Sequence, residues 1–299
     1  MTSPLLALNF SEKENDGRGY RHPLHPETKV FSVTTALKVL DKGGLAQYAA
    51  NLTAAFYAAN PEYSLSRSPE RAYNGGRFRW NDDVKRAGER GTKVHAWFEA
   101  SQKWEEGPEL DDEEQQIVGQ LQELLSSVNY ESEHVETTVW NASRGYAGTL
   151  DSFGKLDGVP TIIDAKTSRN IWPEHIFQLA ALMFSETMLV FNGTNEDEQG
   201  LIELKEKNSS QFWSEAHKWY DEVPTPYSEQ AAVFKVRPDD LHSTTGELIP
   251  AHWEIHTISR DDLEPFFDGF IGALSLKKVL TEQKKVIDKF KEDEYSGNW

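Results

Sequence analysis

Three side chains capable of chemistry, Asp151, Asp164 and Lys166, fall within one short stretch, GYAGTLDSFGKLDGVPTIIDAK. Side chains in a strand alternate with period two, which puts Ile162, Asp164 and Lys166 on one face and Ile163, Ala165 and Thr167 on the other. The same rule gives Thr149, Asp151 and Phe153 a shared face. Between the two runs, KLDGVP carries the Asp-Gly signal of a tight hairpin, so Asp151 and Asp164 are expected as cross-strand neighbours. Carboxylates and carbonyls are the ligands of hard cations, and such a cation polarises a phosphate and lowers the pKa of a water. Asp151, Asp164 and the Ala165 carbonyl could supply three oxygen ligands, with Lys166 to orient or deprotonate a water and to stabilise charge on a pentavalent transition state. A buried ion pair of Asp164 with Lys166, with no chemistry attached, fits the same residues.

A second chemical group lies upstream. His95 and Glu99 in GTKVHAWFE are four residues apart, so on a helix they share a face. A histidine between Val94 and Trp97 is either a ligand or a hydrogen-bonded core residue.

Composition narrows the chemistry. The 299 residues contain no cysteine, which excludes disulfides, zinc–thiolate sites and cysteine-ligated iron–sulfur clusters and leaves carboxylate and imidazole as ligands. Hydrophobic content of 38% and nine tryptophans argue for a folded globular chain rather than disorder. No apolar run reaches the roughly 20 residues needed to span a membrane, and the N-terminus has neither a basic n-region nor a long apolar stretch, so a cytoplasmic protein is expected. The net charge of −18 opposes nucleic-acid binding by the chain as a whole. Its distribution is uneven, however. From Arg67 to Lys93 eight basic residues stand against four acidic ones, so Arg77, Arg79, Lys85, Arg86, Arg90 and Lys93 could contact a DNA backbone, or form an ordinary solvated surface.

The elements that must position these groups follow from pattern. Residues 1–30 read as an irregular arm. Val33-Thr34-Thr35 opens a helix, and Leu45 to Ala59 forms another before Asn60-Pro61 stops it. Residues 61–81 read as a basic loop. Asn81 or Asp82 caps a helix that runs to about Trp104 and carries His95. Ile117, Leu121, Leu124, Leu125 and Val128 mark the next amphipathic helix. HVETTVW alternates as a strand before the two strands of the hairpin, and a helix from Pro173 to about Val190 carries Gln178. Residues 192–229 read as an insertion with an acidic loop, a short strand at Leu201–Leu204 and a helix near Gln211–Tyr220. Two more strands, Ala231–Val236 and Trp253–Ile258, precede a long helix from about Asp261. The expected class is α/β: a central mixed sheet flanked by helices, with residues 1–80 packed on a core of residues 81–299.

This order of motifs, His95 on a helix, GTLD ending at Asp151, IIDAK ending at Lys166 and QLAAL beginning at Gln178, resembles the PD-(D/E)XK nuclease superfamily. Within it the pattern is similar to the RecB-type exonuclease branch, which includes CRISPR-associated adaptation exonucleases and phage recombination nucleases. The GxxD, DxK and QxxxY motifs of that branch cover roughly residues 91–182. A weaker likeness extends to VFSVTTALKVLDKGGLAQYA and AAVFKVRPDDL. The resemblance implies a restriction-endonuclease-like αβββαβ core and a DNA nuclease dependent on Mg²⁺ or Mn²⁺, one or two ions; the absence of cysteine departs from the cluster-bearing members of the branch, so no iron–sulfur cluster is expected. It implies metal ligation by His95, Asp151, Asp164 and the Ala165 carbonyl, catalysis by Lys166, and positioning of Lys166 or the scissile strand by Gln178. Glu99 and Glu136 would stand around the ligands. Leu182 departs from the tyrosine of the motif, which puts in doubt the DNA contact expected there. The implied role is an exonuclease of phage or bacterial recombination or repair, acting on DNA and working with a recombination or replication protein. Two rivals share these residues: a nuclease-fold binding module, such as a DNA mimic or inhibitor using the −18 charge, and an endonuclease.

Overall fold

The computed structural model describes residues 9–12, 17–40, 54, 58, 69–168, 170–241 and 247–295. The predicted hairpin organises the sheet. Strands β5 (Tyr146–Leu156) and β6 (Val159–Lys166) are joined at Asp157 and Gly158, with φ of 51° and 84°. A two-residue turn of this kind needs positive φ at both positions, which Asp-Gly supplies at least cost. Around the hairpin a ten-stranded mixed sheet forms. Along one side run β1 (Asn9–Glu12), β2 (Gly17–Arg21) and β3 (Lys29–Ser32). Beyond β5 lie β4 (Tyr130–Asn141), β7 (Thr187–Phe191) and β8 (Tyr220–Pro224). From β6 the sheet continues through β9 (Gln230–Arg237) to β12 (His252–Ser259), with a separate two-stranded piece of β10 (Asp240–Leu241) and β11 (Leu248–Ile249) between them.

Two neighbours compete for one side of β5. Strand β3 pairs in parallel with its first residues, Tyr146 and Ala147, while β6 pairs antiparallel with Ser152 to Leu156. Residues 148–151 therefore lie in a fork between β3 and β6, with no strand partner on that side among the described residues. Asp151 is the last residue of that fork.

Helices cover both faces. Helices α2 (Pro69–Lys103) and α3 (Asp112–Ser127) close one core, in which Val94, Phe98, Ile117 and Leu121 meet Ile163, Ala165 and Phe234. On the other face α1 (Val33–Ala36), α4 (Pro173–Met183) and α7 (Arg260–Tyr295) enclose Leu150, Phe153, Ile162, Leu179 and Phe270. A third cluster joins Tyr20, Trp140 and Leu189 to α5 (Asn195–Lys207) and α6 (Ser209–Glu215). Each fully buried large side chain contributes roughly 1.5–3 kcal/mol to such cores. The α3 start is fixed by a reciprocal capping box between Asp111 and Glu114.

The mixed α/β class and the order helix, three strands, helix are observed. Several expectations are corrected. The described part of residues 1–30 forms strands β1 to β3, because β3 finds a partner in β5, which local pattern does not reveal. The basic stretch expected as a loop is helical from Pro69, a residue suited to a first turn, and runs through Asn81 and Asp82 without a new cap. Helix α4 ends at Met183, since the β-branched and aromatic run Thr187–Phe191 is drawn into the sheet between β4 and β8. Leu201–Leu204 is helical, set by the Thr194–Asp197 capping box and an acidic first turn. The helix read over Leu45–Ala59 lies largely outside the described residues.

Candidate metal centre

The fork in the sheet is where the chemistry-bearing side chains gather. Asp151 projects there and receives two donors on one oxygen: the Ala165 N–H at 2.8 Å and His95 Nδ1 at 3.2 Å. His95 arrives from α2, held by the burial of Val94 and Phe98 on either side of it. Opposite Asp151 stands Glu136 of β4. The β4–β5 ladder pairs Val135 with Ser152 and Thr137 with Leu150, but skips the Glu136–Asp151 step, and Glu136 has φ of 48°. A non-glycine residue in the left-handed region costs on the order of 1–3 kcal/mol, and such strain concentrates at functional sites. Ligand atoms of His95, Glu136 and Asp151 all lie within 4.8 Å of one another.

The backbone irregularity also changes which way β5 faces. Thr149 Oγ1 hydrogen-bonds Tyr20 of the third cluster, whereas Phe153 lies in the core with α4 and α7. Strict alternation, which put Thr149, Asp151 and Phe153 on one face, thus fails across Asp151. In β6 it holds: Ile162 faces α4 and α7, while Ile163 and Ala165 face α2 and α3.

Asp164 is buried beside this group and is bound differently. Lys166 Nζ contacts its carboxylate at 2.6 Å, and Gln178 Nε2 on α4 donates to Oδ1 at 3.2 Å. Asp164 therefore stands outside the His95–Glu136–Asp151 group and anchors the lysine and the glutamine. Ala165 contributes its N–H to Asp151, and no contact of its carbonyl with the group is seen among the described residues. Glu99 is buried one helical turn beyond His95 and bonded by Lys103 at 2.8 Å. Glu136, expected on the periphery, is instead a member of the group.

The electrostatics are those of a crowded acidic site. Burial alone would lower the pKa of His95, but the Asp151 carboxylate raises it to about 8. Burial would raise Asp151, yet His95, Lys166 and the Ala165 N–H hold it below the usual range. Glu136 is pushed up to about 8 by burial and by the charges of Asp151 and Glu99. Burial pulls Lys166 down, but Asp164 and Asp151 outweigh it and keep its ammonium charged. One imidazole and two carboxylates, with the Lys166 ammonium near Asp151, are a donor set that fits a divalent ion, which would lower the cost of holding Glu136 and Asp151 together.

A cleft of about 470 Å³ opens beside Glu136, lined among others by Lys103, Glu105, Phe191, Glu198 and Tyr220. Glu198 belongs to the stretch read as an insertion, and no sequence signal connected it to this site. Burial, with Glu99 and Glu105 nearby, raises it to about 7 against the pull of Lys103.

The basic stretch is less available than its composition implied. Arg90 pairs with Glu113, Lys93 with Glu114 at 2.7 Å, and Lys85 with Glu89 at 3.6 Å. Arg86 is exposed, and Arg77 and Arg79 lie on α2 with side chains outside the described ones. Leu182, which replaces the motif's tyrosine, is 1% exposed. It packs so closely on Gly148 that a Cβ there would come within 2.7 Å of it. The glycine of GTLD thus admits α4 to the sheet, and position 182 faces core. No protein-family model matches the chain, and no curated protein matches it.

Proposed function

We propose that this chain is a Mg²⁺- or Mn²⁺-dependent deoxyribonuclease that hydrolyses phosphodiester bonds from DNA ends, in phage or bacterial recombination or repair. The observation that carries the reading is the meeting of His95, Glu136 and Asp151, from three separate elements, next to Asp164 and Lys166. His95, Glu136 and Asp151 would hold the metal. The ion, when bound, supplies Lewis-acid polarisation of a phosphate and a more acidic water. The chain's own residues set the rest. Asp151 fixes His95 through Nδ1 and is itself fixed by the Ala165 N–H, so the donors are oriented before any ligand arrives. Lys166 is charged at neutral pH, which suits it to stabilising negative charge on a reacting phosphate rather than to taking a proton. Asp164 and Gln178 keep its ammonium at the fork. DNA would be guided along α2 by the stretch that carries Arg77, Arg79, Lys85 and Arg86, where Lys85 would exchange its exposed partner Glu89 for phosphate.

The test incubates linear and closed circular DNA with Mn²⁺, comparing wild type with Lys166→Ala. Degradation of the linear form alone, lost in the variant, is the expected result. Cutting of the circle would make the protein an endonuclease. A wild type that degrades neither single- nor double-stranded DNA would end the enzyme reading and favour a binding module.

A further inference from the structure

The sheet face that carries Asp164 and Lys166 continues past them. In the parallel register of β6 and β9, Lys166 is opposite Lys235, and in the antiparallel register of β9 and β12, Lys235 is opposite Glu254 and Arg237 opposite His252. Registered partners on adjacent strands project to the same face, and strands lie about 4.8 Å apart. Lys235 is therefore one strand from Lys166, and Glu254 is two. Along β12, His252, Glu254 and His256 follow one another on this face, and below them Ile258 enters the core with α4 and α7.

Two lysines side by side on neighbouring strands repel each other. Each is held by its own carboxylate: Lys166 by Asp164, and Lys235 by Glu254 at 3.1 Å. Glu254 is fully occupied, since His252 Nε2 contacts one oxygen at 2.6 Å and His256 Nε2 the other at 2.8 Å. Arg237 donates its Nε–H to His252 Nδ1 at 2.8 Å, which makes that nitrogen the acceptor and leaves Nε2–H for Glu254. Among the described residues no carboxylate pairs with the Arg237 guanidinium. Its planar fork is thus fixed at one nitrogen and open at the others. Among the described residues β12 pairs with β9 alone, which leaves its other edge without a strand partner there. The contrast with α2 is direct, because there Arg90 and Lys93 are each neutralised by an acid of α3.

We propose that Arg237, supported by Lys235 and the His252–Glu254–His256 run, is a backbone-phosphate site that receives a DNA strand beside the metal centre. The inference rests on the nuclease reading for its substrate class. A guanidinium presents paired N–H groups matched to phosphate oxygens, and the two imidazoles, by occupying Glu254, keep that carboxylate from pairing with the guanidinium. DNA would then run from Lys166 across β9 to β12, away from the acidic cleft at Glu136 and Glu198.

The experiment measures binding of a fluorescein-labelled single-stranded DNA 30-mer and its duplex by anisotropy, in EDTA, across a salt series. Arg237→Gln is expected to weaken binding about fivefold at about 50 mM salt and to reduce the slope of log K against log salt by about 0.7 for the single strand or 0.9 for the duplex. Arg237→Lys restores most of the slope, because it keeps the charge. Unchanged binding in Arg237→Gln would overturn the site, as would equal losses in both variants accompanied by equal drops in melting temperature, which would mark a structural role. The hydrolysis assay separates this from the nuclease reading. Wild type that degrades DNA while Arg237→Gln binds normally refutes the site alone. Wild type that binds through Arg237 without degrading DNA refutes the nuclease alone, wild type that degrades DNA without binding it in EDTA refutes the site alone, and wild type that neither binds nor degrades DNA refutes both.

Discussion

Two stretches of this chain concentrate charge, and they do it in opposite ways. Along α2 and α3 cations meet anions one to one: Lys85 with Glu89, Arg90 with Glu113, Lys93 with Glu114. At the fork, Glu136 and Asp151 face each other across the His95 imidazole, Glu136 held in a left-handed backbone conformation. The first arrangement is what a surface needs in order to be soluble and helical. The second is costly without a ligand, and that cost is the mark of a site. Asp164 shows both habits in one residue, since it neutralises Lys166 and sits beside the acidic group.

The contrast can be broken by substitution. Asp151→Asn takes the charge from the residue that orients His95 and should lower hydrolysis in Mn²⁺ by on the order of 10³-fold or more, measured as initial rate on linear DNA. Arg90→Gln on the paired stretch should change the same rate less than about twofold, its partner being an exposed acid. Equal losses from both would remove the distinction.

Glu136→Gln separates ligand from fold. Metal affinity, followed by calorimetry with Mn²⁺, should fall about 10- to 100-fold. The metal-free protein should melt higher at pH 8, because a buried charge facing Asp151 and Glu99 is gone. A melting point that drops instead would show that Glu136 serves the fold.

A smaller effect belongs to Glu198, which lines the same cleft as Glu136 but lies outside the His95–Glu136–Asp151 group. Its pKa is about 7 in the folded protein against an ordinary 4.5, so the folded state binds more protons than the unfolded one between those values. Stability therefore falls as pH rises from about 4.5 to 7. Glu198→Gln should flatten this decline in melting curves recorded at pH 5 and pH 8. The smallest effect is expected on α2 and α3, where a double-mutant cycle of Arg90 and Glu113 should give a coupling of about 0.2–1 kcal/mol, lost in high salt.

Much of this architecture was legible from residue types. Asp157-Gly158 specified the hairpin because only a few residues accept positive φ, and the alternation of Ile162 to Lys166 survives because β6 is paired on both sides. The amphipathic spacing of Ile117, Leu121 and Leu124 placed α3 and its buried face. The start of α4 at Pro173 was legible, but its end and the start of α2 were not, since pairing of β7 with β4 and β8 overrides helix propensity beyond Met183.

Sequence by itself determined which chemistries were open: with no cysteine, a cation here must be held by carboxylate and imidazole, and His95, Asp151, Asp164, Lys166 and Gln178 were singled out as candidates by residue type and order. Only the tertiary structure decided how they group. Asp164 goes to Lys166 and Gln178, and Glu136 takes a place with His95 and Asp151, because β3 and β6 divide one side of β5 between them and leave Asp151 in the gap. That gap depends on strands distant in sequence. Local periodicity carries no information about such pairings, so neither the fork nor the break in alternation at Asp151 could be read before the sheet was assembled.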